Sequence, residues 1–486
     1  MKLSGAIHQR NQVFPEKVLQ FGTGVLLRGL CDFIIDSANK QGLFEGSIVI
    51  VKSTPGSTSD FEEQDNLYTA CVRGLEKGVM VSQNIICEAI SRVLSAQTEW
   101  SEILKTAHNP AISVVISNTT EVGIQYTKEA LLEKDAPESF PGKLTAWLYE
   151  RFKAGQAGVA IVPTELIVDN GKILKGMVLQ HIADQQLGDD FKSWIEKEND
   201  FCSSLVDRII PGKPKGEELA KLTADLGYED DLMLKAEVYK LWAIEGGERV
   251  RKRLSFAEAD KGVVISKDIM KYRELKLRLL NAPHTIMSGL CFLSGFNTVK
   301  AALSDPLMEK FFTILMLTEL APAMPDTLES KVVQRYGRDI LDRFRNPFLE
   351  HQWHSITLQF TMKLKMRAIP LLHHYYEVFE SVPHYFVRGI SAYLLFMKSV
   401  KEENGVYYGD NKGELYAIND DQAAWYHETW KSEDPYAVTK AALSNVDFWG
   451  SDLTELPGLE ENVANHLSNM IHLGPREVAS NLNVFA

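Results

Sequence analysis

The stretch of the sequence with the clearest chemistry runs from Tyr272 to Gly295. It contains a lysine, an amide and a histidine: Lys276, Asn281 and His284. At about 100° per residue, these three side chains fall within roughly a 140° arc of one helical face. Apolar residues lie around them: Leu275, Leu277, Leu279, Leu280, Ile286, Met287, Leu290 and Phe292. Such a set in an apolar segment suits proton transfer at a carbonyl or an alcohol.

Each of the three residue types has a part in that chemistry. A lysine acts as an acid or base near neutral pH when burial lowers its pKa. An asparagine N–H stabilises an oxygen that gains negative charge, and a histidine orients or stabilises the same oxygen. In the alternative, structural interpretation, Lys276 is a solvated helix residue, Asn281 is a turn residue and His284 is a hydrogen-bonded core residue. Pro283 favours this alternative, because proline disfavours helix at the residue before it.

Length and composition narrow the class of protein. A chain of 486 residues is too long for one core, so two or three domains are expected. A net charge of -13 argues against general nucleic-acid binding but allows a local basic pocket for an anionic substrate. The sequence contains neither a signal peptide core nor an apolar run that would span a membrane. Scattered cysteines without a CxxC pair predict a reduced, cytoplasmic protein: Cys31, Cys71, Cys87, Cys202 and Cys291.

The N-terminal region begins with the pattern of a dinucleotide-binding unit. A predicted strand at Lys17–Phe21 is followed by Gly22-Thr23-Gly24, by a helical pattern to about Asn39 and by a second strand at Ser47–Val51. Glycines in such a turn let the backbone approach a pyrophosphate, which the helix N-terminus then holds. The alternative is a tight turn that needs two glycines for its backbone conformation.

This nucleotide fingerprint departs from GxGxxG in two respects. Leu27 stands where the third glycine is expected, and the next glycine is Gly29. Lys52-Ser53-Thr54 follows the second strand, where an acidic residue would hold the ribose of NAD. NAD and NADP therefore both remain open, since Lys52 would tolerate a 2′-phosphate.

Polar residues follow two further predicted strands. Ile112–Ser117 leads into Asn118-Thr119-Thr120-Glu121, and Val159–Val162 leads into Pro163-Thr164-Glu165. In open parallel sheets, ligands bind outside the carboxyl ends of the strands, so both polar clusters are site candidates. The alternative is turn and helix-cap chemistry.

The sequence pattern changes near residue 266. Before it, strands alternate with helices such as Leu144–Phe152; strand signals fade after Asn170–Leu174, and Phe201–Ile210 is predicted to be helical. After it, helices are predicted at 268–294, 300–319, 326–343, 347–366, 373–400, 420–430 and 434–445, with a turn at 404–410. We therefore predict an α/β domain over residues 1–265 and a mostly α-helical domain over 266–486, with the active site in the cleft between them.

Two clusters in the second half have competing interpretations. Lys363, Lys365 and Arg367 would present cations to an anionic substrate, although such runs are more often solvated helix faces. His351 and His354 have metal-ligand spacing, but the segment is not HExxH and offers no evident third ligand. No metal is therefore predicted.

Taken together, these motifs resemble the mannitol dehydrogenase family of polyol-specific long-chain dehydrogenases over nearly the whole chain. Lys276, Asn281 and His284 are similar to the family's Lys-x4-Asn-x2-His catalytic motif, and Gly22-Thr23-Gly24 with Arg28 is similar to its nucleotide turn. Segments 204–209 and 343–347 are also similar to family segments. The resemblance implies a Rossmann-type domain followed by a helical domain, and hydride transfer with a nicotinamide cofactor. It implies a nucleotide site at Phe21, Gly22, Thr23, Gly24, Arg28, Lys52 and Asn118.

Within the family, several segments are similar to the members that interconvert D-tagaturonate and D-altronate in hexuronate breakdown, usually with NAD(H). These segments are Gln20–Gly22, 117–121, 162–167 and 279–285. The resemblance implies that Asn281 and His284 hold the oxyanion while Lys276 transfers the proton. Substrate contacts are expected at Lys363, Arg367 and Glu165, with Arg28 and Arg345 as further candidates for the substrate carboxylate.

Two departures from the polyol members qualify this assignment. Glu165 and Leu166 stand where those members carry an Asp-Asn pair of the oxyanion site, so a second amide is missing unless Asn118 or a backbone donor replaces it. Arg273 replaces a glutamate thought to gate a proton path. The alternatives are a fructuronate reductase or a mannitol or polyol dehydrogenase of the same family, and, in another class, a non-catalytic nucleotide-binding regulator.

Overall fold

The computed structural model describes residues 1–10, 12–119 and 123–480. Thr120 and Glu121 of the predicted polar cluster lie outside the described residues. The chain forms two compact units: the first contains Met1–Gly74 and Met80–Ile269, and the second contains Leu75–Val79 and the chain from Met270. In the part of the chain described, no helix has the length and apolar character needed to cross a membrane.

A parallel sheet organises the first unit. In chain order, the strands of this unit are β1 (Glu16–Phe21), β2 (Ser47–Lys52), β3 (Tyr68–Glu76), β4 (Val79–Cys87), β5 (Ile90–Ser95), β6 (Val114–Ser117), β7 (Ala160–Pro163), β8 (Asp200–Phe201), β9 (Ser204–Asp207), β10 (Leu234–Glu237), β11 (Leu241–Glu245) and β12 (Val263–Ser266). The six-stranded sheet has the order β5-β2-β1-β6-β7-β8, and its neighbouring strands are parallel. Two smaller sheets have the orders β10-β3-β4 and β12-β11-β9.

Alternate residues of the central strands face two different cores. Val18 and Ile48 pack in one core, whereas Leu19 and Val49 pack in the other. Both faces of a parallel sheet are covered by other elements, which explains why these strands are continuously apolar. Because the strands are parallel, their carboxyl ends lie at one edge of the sheet, as the predicted α/β fold requires.

Helical segments connect and cover the strands of the first unit. One continuous helical segment follows β1 and contains a π-helical turn in its middle: Val25–Leu27, the π turn Arg28–Asp32, and Phe33–Lys40. The other helical segments are Ser59–Glu62, Trp100–Thr106, Phe140–Lys153, Asn170–Asp184, Asp189–Glu198, Gly216–Leu226, Glu248–Arg253 and the 3-10 turn Ser255–Ala259.

The predicted helix at Phe201–Ile210 is wrong. These residues form β8 and β9 instead, and β9 pairs antiparallel with β11, with Val206 opposite Trp242. A short apolar run does not distinguish helix from strand by itself, and here a partner some 35 residues further along the chain decides it. The strand signal at Asn170–Leu174 also fails, because this stretch begins a helix.

The second unit is mostly helical, as predicted. Its helical segments are Met270–Leu275, the π turn Lys276–Asn281, Ala282–Leu293, Val299–Leu303, Pro306–Ile314, the π turn Leu315–Leu320, Ser330–Phe344, Trp353–Ile356, Phe360–Arg367, Ile369–Phe379, His384–Phe396, Ala423–Thr429, the 3-10 turn Trp430–Ser432, Pro435–Leu443, Val446–Trp449, the 3-10 turn Leu453–Glu455, Leu459–Leu473 and Pro475–Ser480. A three-stranded antiparallel sheet also belongs to it: β13 (Lys401–Glu403), β14 (Val406–Asn411) and β15 (Glu414–Ala417).

Two long predicted helices of the second unit are each divided. The predicted helix 347–366 is interrupted before Phe360 by Gln359, which has a left-handed φ of 52°. The predicted helix 373–400 is interrupted by Glu380, with a φ of 48°, and by Pro383. The predicted turn at 404–410 is mostly strand, because β14 pairs with strands on both sides.

Two glycines allow helices Ala282–Leu293 and His384–Phe396 to cross closely. A Cβ at Gly389 would lie 2.2 Å from Cγ2 and 2.9 Å from the carbonyl oxygen of Ile286. In the reciprocal direction, a Cβ at Gly289 would lie 3.0 Å from the carbonyl oxygen of Ala392. The position of helix Ala282–Leu293, which carries His284, therefore depends on the absence of both side chains.

Gly389→Ala is expected to destabilise the second unit by about 1–3 kcal/mol, because the added methyl group forces an overpacked helix crossing apart. Urea unfolding followed by circular dichroism measures this loss. Gly176→Ala is the matched control: its position is exposed and helical, and no described atom lies within 4 Å of the new Cβ. This control is expected to gain up to about 1 kcal/mol. Equal stability of Gly389→Ala and the unmodified chain would contradict the close crossing.

Candidate active site

The predicted nucleotide turn follows β1 at the carboxyl edge of the sheet. Gly22 has a φ of 123°, a conformation that favours glycine, and its N–H donates to the carbonyl of Val51 at 3.0 Å. A Cβ at Gly22 would lie 2.9 Å from the carbonyl oxygen of Asn118. The turn therefore requires glycine at position 22 for both its dihedral angle and its contact with the end of β6.

Two side chains hold the carbonyl groups of this turn. Gln20 Nε2 donates to the Gly22 carbonyl at 3.2 Å, and Arg28 Nε donates to the Thr23 carbonyl at 3.3 Å. In a trans peptide the N–H points opposite to the C=O, so the N–H groups of Thr23 and Gly24 point away from these buried side chains. Among the described residues, no side chain caps the helix that begins at Val25. Free backbone donors at a helix N-terminus fit the pyrophosphate of a dinucleotide.

Arg28 supports the turn from inside the protein. Its side chain is buried, with a second hydrogen bond to the Leu232 carbonyl and ring contacts with Phe61 and Tyr68 at 5.8 and 5.5 Å. Burial lowers the pKa of its guanidinium. The sequence prediction placed Arg28 at the nucleotide and, secondarily, at the substrate carboxylate; the structure places its charge beneath the turn.

Lys52 and Asn118 both lie at the carboxyl edge of the sheet, and both use their donors locally. Lys52 Nζ donates to the carbonyls of Thr54 and Pro55 at 3.0 and 2.9 Å. Asn118 Nδ2 donates to the carbonyl and to Oγ1 of Thr164 at 3.3 and 3.0 Å. Asn118 thus joins the ends of β6 and β7 instead of presenting a free amide.

Glu165 also joins the two strand ends. It accepts hydrogen bonds from the N–H and Oγ1 of Thr119 at 2.9 and 3.1 Å and from Ser117 Oγ at 3.2 Å. Burial raises the pKa of this carboxyl, while the Thr119 and Ser117 donors oppose that rise. The adjoining Leu166 is 64% exposed. The structure therefore gives Glu165 a local role in the first unit.

In the second unit, Lys276 and Asn281 are the first and last residues of one π-helical turn. The N–H of Ala282 donates to the carbonyl of Leu277, five residues earlier. The wider turn accommodates Pro283, which lacks an N–H and whose ring would otherwise press on the carbonyl four residues before it. The helix consequently continues from Met270 to Leu293, and the break that Pro283 suggested does not occur.

Asn281 and Lys276 are both half-buried. The side-chain amide of Asn281 has no hydrogen-bond partner within the residues described, which leaves its donors available to a ligand. Its backbone carbonyl accepts from Thr285 Oγ1 at 2.9 Å, and Arg367 in turn donates to that hydroxyl at 3.1 Å. Arg278 donates to the carbonyls of Met366 and Arg367. The π turn is therefore tied to the end of helix Phe360–Arg367.

His284 lies one turn further along, in an aromatic environment. Its ring centroid is 4.1 Å from Phe344 and 5.4 Å from His351, and its Nε2 is buried without a hydrogen-bond partner in the described part of the chain. Burial holds the pKa of His284 well below its usual value, and the charges of His351, Arg343 and Arg367 lower it further. His284 is therefore uncharged near pH 7.

Three cations surround the two imidazoles. Burial, Arg343 and Lys363 lower the pKa of His351, and burial and Arg367 lower the pKa of Lys363 against the opposing effect of Asp420. Burial alone lowers the pKa of Arg367, which indicates that its guanidinium is partly desolvated. We call these residues the cationic cluster: His284, Arg343, His351, Lys363 and Arg367. A field of this sign favours an anionic ligand.

Sequence reasoning had named Lys363 and Arg367 but missed Arg343 and the contact of His351 with His284. Arg343 lay within a segment noted only for its resemblance, and His351 was considered only as a metal ligand. Their shared position is a consequence of packing between helices, which sequence spacing does not reveal. Arg345, another predicted cation, is paired instead with Glu309 and Asp342.

The metal interpretation of His351 and His354 finds no support in their placement. His354 Nε2 lies 2.9 Å from the Ala417 carbonyl, whereas His351 packs against His284. Within residues 1–10, 12–119 and 123–480, no group of three or more His, Cys, Asp or Glu side chains is arranged to hold a metal ion.

Comparison with protein families gives two matches that together span most of the chain. Residues 16–258 match the mannitol dehydrogenase Rossmann domain, and residues 268–471 match the mannitol dehydrogenase C-terminal domain. Curated relatives named altronate oxidoreductase are similar over nearly their full length. The protein of Halalkalibacterium halodurans is 36% identical, with 99% of this chain and 97% of that protein covered. That of Bacillus subtilis is also 36% identical, with 97% and 96% covered.

Two solved structures are similar in fold. One is a D-sorbitol dehydrogenase in substrate-free form, with a TM-score of 0.76, 20% identity, and coverage of 99% of this chain and 100% of that chain. The other is the ternary complex of Pseudomonas fluorescens mannitol 2-dehydrogenase with NAD and D-mannitol, with a TM-score of 0.62, 20% identity and 99% of each chain covered. At this identity the likeness concerns the fold alone.

Lys363→Gln is expected to raise the pKa of His351, because the substitution removes one of the two positive charges that lower it. NMR titration of the imidazole resonances, assigned through a His351→Gln spectrum, measures the shift. Lys365→Gln, two residues along the same helix, is the matched control: Lys365 is not among the charges that lower the pKa of His351, so this substitution should leave the titration unchanged. An unchanged His351 pKa in the Lys363→Gln variant would contradict the proximity of Lys363 to His351 in the cationic cluster.

Proposed function

This chain belongs to the mannitol dehydrogenase family, and on that premise we propose that it interconverts D-tagaturonate and D-altronate with NAD. Relatives that share 33–36% identity over nearly the full length carry the name altronate oxidoreductase. The Rossmann-type first unit, with free backbone donors at the turn after β1, supports a dinucleotide cofactor. The five buried thiols suit a reducing compartment such as the cytoplasm.

The observation that carries this proposal is the cationic cluster. D-altronate and D-tagaturonate each bear a carboxylate, whereas mannitol and sorbitol bear no charge. Moving an unpaired carboxylate into a partly buried site is costly, so a sugar acid needs cations in its site. Arg343, Lys363 and Arg367 meet that need beside His284. A neutral polyol would gain nothing from three desolvated positive charges.

Lys276, Asn281 and His284 divide the proton chemistry among them. A nicotinamide cofactor held by the turn Gly22-Thr23-Gly24 would supply the hydride in reduction and accept it in oxidation. Asn281 donates its amide N–H to the oxygen of the reacting carbon, and neutral His284 donates a second hydrogen bond to it. Lys276 gives its proton to that oxygen in reduction and takes the hydroxyl proton in oxidation.

The second oxyanion amide of the polyol-specific members has no counterpart in this proposal. Asn118 is a poor substitute because its Nδ2 already donates to the carbonyl and Oγ1 of Thr164. Asn281 and His284 therefore carry the oxyanion, and the positive cluster beside them lowers the cost of the charge that develops there.

The proposal keeps two alternatives as outcomes of its tests. A fructuronate reductase would share the chemistry and the cationic cluster, and would differ only in substrate stereochemistry. A regulator that binds nucleotide without catalysis would have no use for the unpartnered amide of Asn281 beside Lys276.

Lys276→Ala is expected to reduce turnover by about 10² to 10⁴ while cofactor affinity stays unchanged, since general acid–base groups contribute on that scale. Turnover is measured from the absorbance of reduced nicotinamide with D-altronate and NAD, and cofactor affinity from NADH fluorescence. Lys271→Ala is the matched control, since it replaces an exposed lysine at the start of the same helical segment. Near-normal turnover of Lys276→Ala would refute its proposed role.

Lys363→Gln is expected to raise the KM for D-altronate by about ten- to a hundredfold, as the loss of one partner of a partly buried charge pair would do. The KM for NAD should not change. Lys365→Gln is again the control. Rates with D-mannonate and mannitol are measured as well. Faster turnover of mannonate than of altronate would assign the chain as a fructuronate reductase. Faster turnover of mannitol than of altronate would contradict a role of the cationic cluster in substrate binding.

A further inference from the structure

A buried acid lies beneath the nucleotide turn and has no part in the chemistry described above. Asp32 is fully buried at the end of the π turn Arg28–Asp32, and its Oδ2 accepts from Gln20 Nε2 at 3.3 Å. The same Gln20 nitrogen donates to the Gly22 carbonyl at 3.2 Å. One amide group thus joins the acid to the turn.

Two acceptor atoms of this pair lack donors. Gln20 Oε1 and Asp32 Oδ1 are both buried and have no hydrogen-bond partner among the residues the structure describes. Buried acceptors without partners are rare, because each carries the full cost of its desolvation. An amide and a protonated carboxyl form two hydrogen bonds side by side, N–H to one carboxyl oxygen and O–H to the amide oxygen. The first of these bonds is present, and the second, from a proton on Oδ1 to Oε1, would satisfy both atoms that lack partners.

The charges near Asp32 agree with a protonated state. Burial, with a smaller contribution from Asp36 on the next turn, raises its pKa to about 7 against the opposing effects of the Gln20 hydrogen bond and Arg28. Arg28 is already bonded to the Thr23 and Leu232 carbonyls. The remaining titratable neighbours are Cys31, Tyr68 and Cys87, whose pKa values burial raises well above their ordinary values, so they stay uncharged.

We propose that Asp32 is a positioning residue for cofactor binding, and that in its uncharged form it holds Gln20 against the Gly22 carbonyl so that the turn presents its N–H groups to a pyrophosphate. This inference rests on the proposed nucleotide site. Loss of the proton leaves three acceptor oxygens around the Gln20 NH2 group: the two of the Asp32 carboxylate and the Gly22 carbonyl oxygen. It also places a negative charge beneath the turn, which the pyrophosphate must approach. Cofactor binding and proton retention by Asp32 therefore favour each other.

The size of the effect follows from Coulomb's law. If two unit charges were on the order of 10 Å apart, at an effective dielectric constant of about 20, their repulsion would change affinity by about ten- to thirtyfold. The Kd of the wild-type protein for NADH, measured by fluorescence between pH 6 and 8.5, is expected to rise by this factor above about pH 7. Calorimetry at pH 8 in buffers of different ionisation enthalpy should show uptake of up to one proton on NADH binding.

Asp32→Asn separates positioning from simple packing. Its Nδ2–H takes the place of the carboxyl O–H and cannot be lost, so its Kd for NADH should stay at the low-pH value of the wild type throughout the range. Asp32→Leu, which removes the pairing, should bind weakly at every pH. Asp190→Asn is the matched control, because it makes the same substitution at an exposed position of the first unit and should retain the wild-type pH dependence.

The protein without cofactor gives an independent measurement. An aspartate with an unfolded pKa near 3.9 and a folded pKa of about 7 stabilises the fold fully below about pH 4 and loses that contribution as the pH rises through 7. The stability of the wild type relative to Asp32→Asn should therefore fall between pH 4 and 8.

A flat stability difference, or a wild-type Kd for NADH that does not change with pH, would overturn the inference. If no NADH binds at any pH, the proposed nucleotide site fails, whereas the stability measurement still decides the state of Asp32.

Discussion

The geometry of the second unit depends on one widened helical turn. Because Pro283 has no N–H and its ring presses on the preceding turn, an ordinary α-helix would kink or end there. The π turn Lys276–Asn281 absorbs this conflict and keeps the helix continuous. It also changes the facing of its residues, since the backbone ring closes between positions five apart. Such turns are frequent at functional sites, and here the strained sequence and the proposed catalytic residues coincide.

The two units handle negative ligands by opposite means. In the second unit, burial and the nearby cations lower the pKa values of His284 and His351, so the positive charge of the cluster comes from Arg343, Lys363 and Arg367. In the first unit, the Arg28 guanidinium beneath the nucleotide turn is bonded to carbonyl oxygens, and burial raises the pKa of the nearby Asp32 to about 7. In both units, burial shifts the pKa values of the ionisable groups and so determines whether they are charged. The local geometry determines which neighbouring groups they can bond.

Much of the fold followed from local patterns. The strands around Gly22 and the helix that carries Lys276 were predicted because their periodicity is strong over many residues. Phe201–Ile210 and 404–410 failed for a common reason: their strands exist only through pairing with distant or adjacent segments that no local pattern specifies. For the candidate site, residue types and spacing identified Lys276, Asn281 and His284, which remain predictions. Arg343, His351 and Asp32 were missed because their importance comes from burial and from neighbours on other elements.

The crossing of Gly289 and Gly389 has a consequence for how new specificities arise. A Cβ at either glycine would press on the facing helix, so a substitution at position 289 or 389 would disturb the placement of the helix that bears His284. The facing side of the cluster is built differently, since Lys363 and Arg367 lie on the eight-residue helix Phe360–Arg367 that starts at the left-handed Gln359. Substitutions in helix Phe360–Arg367 can change its side chains without altering helix Ala282–Leu293. The charges of the cluster can therefore change through substitutions on the short helix while the Gly289–Gly389 crossing stays as it is.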